Sequence, residues 1–308
     1  TFLHGLSEYR MWTTNKEQVD KDPDFKDAKN FPGTGPFIID AWDSTTLTGH
    51  YTANPNYFRT GRPYLAGVSQ VQLADVAAQQ AAFLSGKTSF FSVQSEQLRA
   101  AVTRGRSDAK IVSWETSLWD YFRLHQDRSA FKDVRVRQAL FKAIDYTGIL
   151  DAQFGKGWYD YTGPLPSGFP GAPSADDIKA KSPWNPATKQ QDITDAKALM
   201  NAAGYPEGEI SFKIVSGSGG NPSDYAIRLQ DNLSKVWPKM KIEQAPSVDS
   251  AGFQRSLGSG DYDTIVYTSG VPVSIILECL LHYRTGGSRN YSKFSNADID
   301  RLVDSAYQ

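Results

Sequence analysis

Ile210-Ser-Phe-Lys-Ile-Val215, then Ser216-Gly-Ser-Gly-Gly-Asn-Pro222, then Ser223 to Val236, reads as a strand, a Gly/Ser turn and a helix in direct succession. The strand is a short β-favouring run bounded by turn residues. The pattern continues downstream, with a strand at Lys241 to Gln244, a helix at Ala251 to Leu257 and a strand at Tyr262 to Tyr267. Strands alternating with helices in this way imply an α/β lobe with a partly parallel sheet.

Upstream, Val136, Ala139, Leu140, Ala143 and Ile144 recur at three and four residues, which predicts a helix over Val134 to Tyr146 whose charged face, Arg135, Gln138 and Lys142, is solvated. A second helix runs from Thr194 to Ala203 and stops at Gly204 and Pro206. Between them, Gly155 to Pro186 is rich in Gly, Pro, Trp and Tyr and too long for an ordinary connector, as if it closed over something. Ser295 with Asp298 resembles a capping box and starts a last helix, Ala297 to Ala306.

The first third is strand material broken by turns. Phe37 to Trp42 and Thr46 to Thr52 flank Asp43-Ser44 as a hairpin, and Val68 to Leu73 is a further strand. A helix over Asp75 to Ser85 ends at Gly86, placed as a left-handed cap. Phe90 to Val93 and Lys110 to Trp114 read as strands on either side of a helix-like stretch, Glu96 to Arg104.

The chain has 308 residues, a net charge of −1, 22% charged residues and a single cysteine. At about 150 residues per domain this suggests two domains. There is no basic excess for a nucleic-acid backbone. The longest apolar run, Val271 to Leu281, includes Pro272 and Glu278 and is shorter than the about 20 apolar residues a membrane-spanning helix needs. No signal sequence is visible at Thr1-Phe-Leu-His4, and Cys279 excludes an internal disulfide.

Catalytic and cofactor motifs find little support. Ala81-Ala-Phe-Leu-Ser-Gly86-Lys87-Thr88 ends like a phosphate-binding loop, but its glycine follows a helix where it should precede one, so the dipole points the wrong way. His4, His50, His125 and His282 have no zinc spacing. Asn296, Asp298 and Asp300 lack the remaining features of a calcium loop and suit a helix N-terminus. There is no G-x-S-x-G elbow, and Asp261 and Asp263, entering a strand at i and i+2, should share a solvated face. No cofactor or metal is expected.

Aromatic residues make up 12% of the chain and cluster at Trp114, Trp119, Tyr121 and Phe122, at Trp158, Tyr159 and Tyr161, and at Tyr262 and Tyr267. Flat rings at strand ends and in loops suit a ligand cleft better than catalysis, although Trp114 and Phe122 also suit a core.

Several motifs then follow one another in a known order. They are Gly33-Thr-Gly-Pro-Phe37, Asn54-Pro-Asn-Tyr-Phe58 with Arg62-Pro-Tyr-Leu65, Ala81 to Gly86, Phe131-Lys-Asp-Val-Arg-Val-Arg-Gln-Ala-Leu140 with Ala143-Ile-Asp145, and Gly163-Pro-Leu-Pro166. Asp195-Ala-Lys-Ala-Leu199 with Ala203-Gly-Tyr-Pro206, Gly260-Asp-Tyr-Asp263 and Asn290-Tyr-Ser292 continue the series. From about residue 30 to 304 the chain resembles the family 5 (peptide/nickel/oligopeptide-type) solute-binding proteins of ABC importers.

The resemblance implies a two-lobed, cleft-closing α/β protein of the class II periplasmic-binding-protein type. Residues 1–117 would be part of lobe I, mixed and β-rich, and 118–308 most of lobe II, with a hinge near 115–119. It implies a non-enzymatic, monomeric receptor that is periplasmic or otherwise extracytoplasmic, with a lipid anchor as one arrangement, and that hands a small-molecule or peptide ligand to the transmembrane subunits of an ABC permease.

Two departures shape the ligand. Peptide-binding members carry an aspartate in the loop after the Tyr262 to Tyr267 strand, and dipeptide binders carry an arginine after the Ile210 to Val215 strand. Here those loops read Thr268-Ser-Gly-Val-Pro-Val-Ser274 and Ser216-Gly-Ser-Gly-Gly-Asn-Pro222, with neither charge. An oligosaccharide, or an uncharged or longer peptide, is therefore expected, with Trp119 and Tyr121 stacking and Ser216, Asn221, Tyr267, Thr268 and Ser269 hydrogen-bonding. Arg284 and Arg289 would suit an acidic ligand instead, but are expected as surface charges. The competing readings are a glycosidase-like or peptidase-like enzyme using carboxylates in an aromatic cleft, and a sensor or chaperone on the same fold. Because family members carry further segments at both ends, the chain is expected to be a fragment whose first lobe leaves apolar surface or sheet edges open.

Overall fold

The computed structural model describes residues 15–24, 27, 33–73, 75–114, 118–162, 171–217, 221–246, 249–270 and 275–307. The chain packs as two compact units, residues 1–87 and 88–308.

In the first unit, α1 (Lys16–Lys21) is capped by the Asn15 side chain, and a three-stranded antiparallel sheet follows in the order β1 (Phe37–Asp43), β2 (Thr48–Ala53), β3 (Gly67–Val71). The hairpin turn is longer than Asp43-Ser44. Asp43 Oδ1 accepts from the amides of Thr45 and Thr46, and Leu47 turns the chain with a left-handed φ of 50°. Helix α2 (Val76–Leu84) is capped by Asp75 and followed by Gly86 at φ 77°. Among the described residues of this unit only Gly49 is buried, while Ile38, Trp42, Val68 and Val71 stay exposed. A three-stranded sheet whose best-covered residues, such as Phe37, Ile39 and Tyr51, are only half-buried holds no full core of its own.

The second unit opens with α3 (Glu96–Gly105), capped by Ser95. The flanking runs at Phe90 to Val93 and Lys110 to Trp114 are not strands, in contrast to the reading from their composition. They join neither sheet, and Phe90, Val112 and Trp114 are exposed; β-favouring residues form a strand only where a ladder receives them.

Four strands form the central sheet in the order β4 (Leu118–Leu124), β7 (Thr264–Gly270), β5 (Ser211–Ser216), β6 (Lys241–Pro246). Strand β5 runs parallel to both β6 and β7, and β4 runs antiparallel to β7. Period-two alternation splits the side chains between two cores. Phe212, Ile214 and Val266, with Phe122 and Leu124, pack against α4 (Val134–Ala143), α7 (Lys189–Ala202) and α8 (Asn221–Val236) through Leu140, Met200 and Leu233. Val215, Ile265 and Tyr267, with Tyr121, pack against Phe253 and Leu257 of α9 (Ser250–Ser259).

The helix predicted to reach Tyr146 ends at Ala143, because the Asp145 side chain accepts from Gly148 N at 3.0 Å and starts α5 (Tyr146–Phe154). Within the Gly155 to Pro186 stretch, a capping box at Ser174 and Asp177 builds α6 (Ala175–Lys179). Residues 163–170 of that stretch lie outside the described residues. The apolar run after β7 contains α10 (Ile275–His282). The last helix, α11 (Ala297–Tyr307), is capped by Asn296, whose Oδ1 accepts from Asp298 and Ile299 N, and not by Ser295, whose hydroxyl bonds Thr285.

Candidate functional site

From β5 the chain passes through α8 to β6, its outer neighbour; from β6 it returns through α9 on the opposite face to β7, on the other side of β5. The connections thus diverge at the carboxyl ends of β5 and β7. In open α/β sheets a crevice at such a switch point is where ligands bind. Ser216 ends β5 there, Thr268 to Gly270 end β7, and Asn221 begins α8.

The antiparallel register sets Trp119 opposite Ser269, Asp120 opposite Thr268 and Tyr121 opposite Tyr267. On one face the Tyr121 and Tyr267 rings stack at 5.1 Å between centroids, and the Arg123 guanidinium lies 4.0 Å over Tyr121. Arg123 is buried; Nη1 donates to Arg289 O at 3.2 Å, and Nη2 stands 2.9 Å from His282 Nδ1. Tyr121 donates its hydroxyl to Glu278 Oε1 at 3.2 Å, and His282 Nε2 lies 3.3 Å from the same oxygen. Burial holds His282 at a pKa of about 3, with Arg123 adding to the effect, so the ring is neutral. Burial also pushes Glu278 up, against the hydrogen bond from Tyr121.

On the other face the Thr268 hydroxyl donates to Asp120 Oδ1. Desolvation raises the Asp120 pKa, and the Thr268 bond only partly opposes it.

Five of the seven residues singled out in the sequence therefore come from the β4/β7 pair, and Ser216 lies beside it, paired in register with Val266. Tyr267 and Ser216 are buried, and the Ser216 hydroxyl faces that of Ser223 at 3.5 Å. Thr268 is exposed. The side chains of Trp119, Asn221 and Ser269 lie outside the described residues. Sequence reasoning missed Asp120, Arg123, Glu278 and His282; the charged residues between the aromatics of Trp119-Asp-Tyr-Phe-Arg123 were the available signal.

Other aromatics are used elsewhere. Tyr159 bonds Asp151, Tyr161 bonds Thr147, and Trp158 lies beneath Arg99. Asp263 is not simply solvated as expected. Its Oδ2 accepts from Lys213 N at 2.8 Å, its other oxygen lies 3.9 Å from Arg128 Nε, and Asp261 pairs with Lys213 Nζ at 3.7 Å. These carboxylates pin the start of β7 to β5. Arg284, expected as a surface charge, is partly exposed and pairs with Asp304 at 2.7 Å, and Arg289 is half-buried. Cys279 is half-buried, and burial raises its thiol pKa, which leaves it unreactive. Among the described residues no three metal-ligating side chains converge, and no helix is long and apolar enough to cross a membrane.

The sheet order and its carboxyl-edge site define a class II periplasmic-binding-protein-like α/β fold. A solved structure, the Escherichia coli murein tripeptide binding protein MppA, superposes with a TM-score of 0.79 at 18% identity over 99% of this chain and 58% of its own. Residues 1–273 match the profile of the bacterial extracellular solute-binding proteins, family 5 (middle), and the chain belongs to that family. Relatives include heme-binding protein A of Haemophilus influenzae, 25% identical over 89% of this chain and 48% of its own length, and the oligopeptide-binding protein AppA of Bacillus subtilis, 24% identical over 89% and 50%. The chain spans about half the length of these curated relatives.

Proposed function

We propose that this chain is the ligand-binding portion of the solute receptor of an ABC importer. It captures a peptide longer than a dipeptide at the carboxyl edge of β5 and β7 and delivers it, outside the cytoplasmic membrane, to the permease subunits. The observation that carries this reading is the switch point, where the β4/β7 register gathers Trp119, Tyr121, Tyr267, Thr268 and Ser269 beside Ser216 and the start of α8 at Asn221. Exposed Thr268 and the open ends of β7 and β4 contact ligand, while buried Ser216 and Tyr267 shape the crevice from beneath. Peptide enters the reading through the relatives, one described as oligopeptide-binding and one as murein tripeptide binding.

Residues 1–117 would then be part of lobe I and 118–308 most of lobe II. The packing boundary at Lys87/Thr88 falls earlier because α3 packs with α5, Arg99 lying 3.9 Å over the Trp158 ring. The open sheet of the first unit fits a lobe present in part.

Affinity selection from separate pools of random peptides and oligosaccharides tests the reading. Stoichiometric retention of peptides of three or more residues, recovered intact, is expected. Retention of sugars alone, or steady conversion of a peptide, would overturn it.

A further inference from the structure

The Asp120 carboxylate carries more than the fold asks of it. It sits on β4 beside the end of β7, takes the Thr268 hydroxyl, and keeps one side toward solvent. Beneath it, the buried hydroxyl of Tyr225 on α8 makes no hydrogen bond of good geometry, yet lies close enough for the two groups to shift each other's pKa.

No cation among the described residues pairs with this carboxylate. Arg123, three residues on, points to the opposite face of β4, where His282 and the Arg289 carbonyl hold it. Arg228, on α8, is turned to Gln153 and the Ala152 carbonyl. A carboxylate held by Thr268 at the carboxyl edge of the sheet, with no counter-charge of its own, is placed to take one from a ligand. The segment from Thr268 to Ser274, the end of β7 and the residues after it, contains no acid, so Asp120 supplies the negative charge at this end of the strand pair.

We propose that Asp120 is the counter-charge for a cationic nitrogen of the bound peptide, an ammonium or guanidinium, with Thr268 orienting the carboxylate. This rests on the peptide-binding reading above and replaces the uncharged ligand expected from the two loops. The nitrogen could be the peptide's amino terminus or a basic side chain; both present N–H donors to a carboxylate in a charge-assisted bond.

The test uses the 308-residue chain and three random tri- to pentapeptide pools: free-amine without Lys and Arg, N-acetylated without Lys and Arg, and N-acetylated with them. Wild type should retain at least tenfold more from a cationic pool than from the acetylated pool lacking basic residues, and which cationic pool is favoured identifies the nitrogen. Asp120→Asn, nearly isosteric, and Asp120→Ser should each lose that preference while melting at or above the wild-type temperature, an outcome a purely structural carboxylate would not produce. Equal retention from all three pools, or a preference that survives in either variant, would overturn the role of Asp120 and leave peptide binding standing. No retention from any pool would remove the peptide reading and this inference with it.

Discussion

Nη2 of Arg123 lies 2.9 Å from Nδ1 of His282. An arginine only donates, so Nδ1 must be the acceptor and the proton of the neutral ring sits on Nε2, which lies 3.3 Å from Glu278 Oε1 without a hydrogen bond of good geometry. Arg123 thus bonds His282, Tyr121 bonds Glu278 from the sheet, and the four side chains form one buried cluster. It ties α10 to β4 and fixes the ring that stacks on Tyr267.

Acid should loosen this cluster. His282 is held at about 3, below its ordinary 6.5, so below pH 6.5 the unfolded chain takes a proton that the folded chain refuses. The stabilisation is complete above pH 6.5 and drains away as pH falls toward 3. His282→Gln keeps an acceptor and a donor but cannot titrate. In urea titrations its stability deficit relative to wild type should shrink by about 2 kcal/mol between pH 7 and pH 5. A deficit constant across that range would mean that His282 is charged in the fold.

Removing Arg123 should be costlier. Arg123→Met strips the partner from His282 Nδ1, removes one of the two donors to the Arg289 carbonyl and takes the compensating charge from buried Glu278, a loss of about 3 kcal/mol in urea unfolding. Arg123→Lys should recover little, because an ammonium cannot span both acceptors while lying flat over Tyr121. Wild-type stability in the Lys variant would show that charge alone suffices.

Much of the sheet was legible because β5 and β7 carry β-favouring apolar residues, and all three of β5, β6 and β7 are short segments separated by turn residues and helices. Strand β4 was hidden. Leu118-Trp-Asp-Tyr-Phe-Arg-Leu124 places charge and aromatics on both faces, and its partners on α10 lie 159 positions away at His282, beyond any local pattern. Helix α5 was masked by continuity of apolar spacing across Ile144-Asp145, where the capping carboxylate breaks the helix. Phe90 to Val93 and Lys110 to Trp114 misled in the opposite direction, since composition reports fitness for a ladder and not its presence. The site was legible in its aromatics and hydroxyls but not in its charges, for a partner across a sheet leaves no trace in spacing.

A second buried charge, Asp192, should govern acid stability between α4 and α7. It is 2% exposed, accepts from Thr188 Oγ1 at 2.8 Å and from the Ser182 hydroxyl, and lies 3.4 Å from Lys142 Nζ. Burial works to raise its pKa, but these donors outweigh burial and hold it below the usual carboxylate range. Its contribution is therefore present above the unfolded value near 4 and lost as pH falls through the lower folded one. Asp192→Asn should cost about 2 kcal/mol at pH 7 and progressively less as the medium approaches pH 3, read from paired urea curves. A gap that widens in acid would contradict the lowered pKa.

The turn that delivers the chain into β5 should tolerate no side chain at Gly208. Its φ of 72° is left-handed, and a Cβ there would stand 2.5 Å from Trp237 Cβ, in a core where that indole is 1% exposed. Two costs combine, the left-handed backbone at about 1–2 kcal/mol and overpacking at about 1–3 kcal/mol. Gly204 offers the control, since its φ of 93° is also left-handed but a Cβ there would meet open space. Gly204→Ala should thus pay the backbone cost alone, near 1 kcal/mol, and Gly208→Ala about 3 kcal/mol, measured as shifts of the urea midpoint at constant m. Equal losses at the two positions would mean that Trp237 yields, and that the entry to β5 is not held as tightly as its packing indicates.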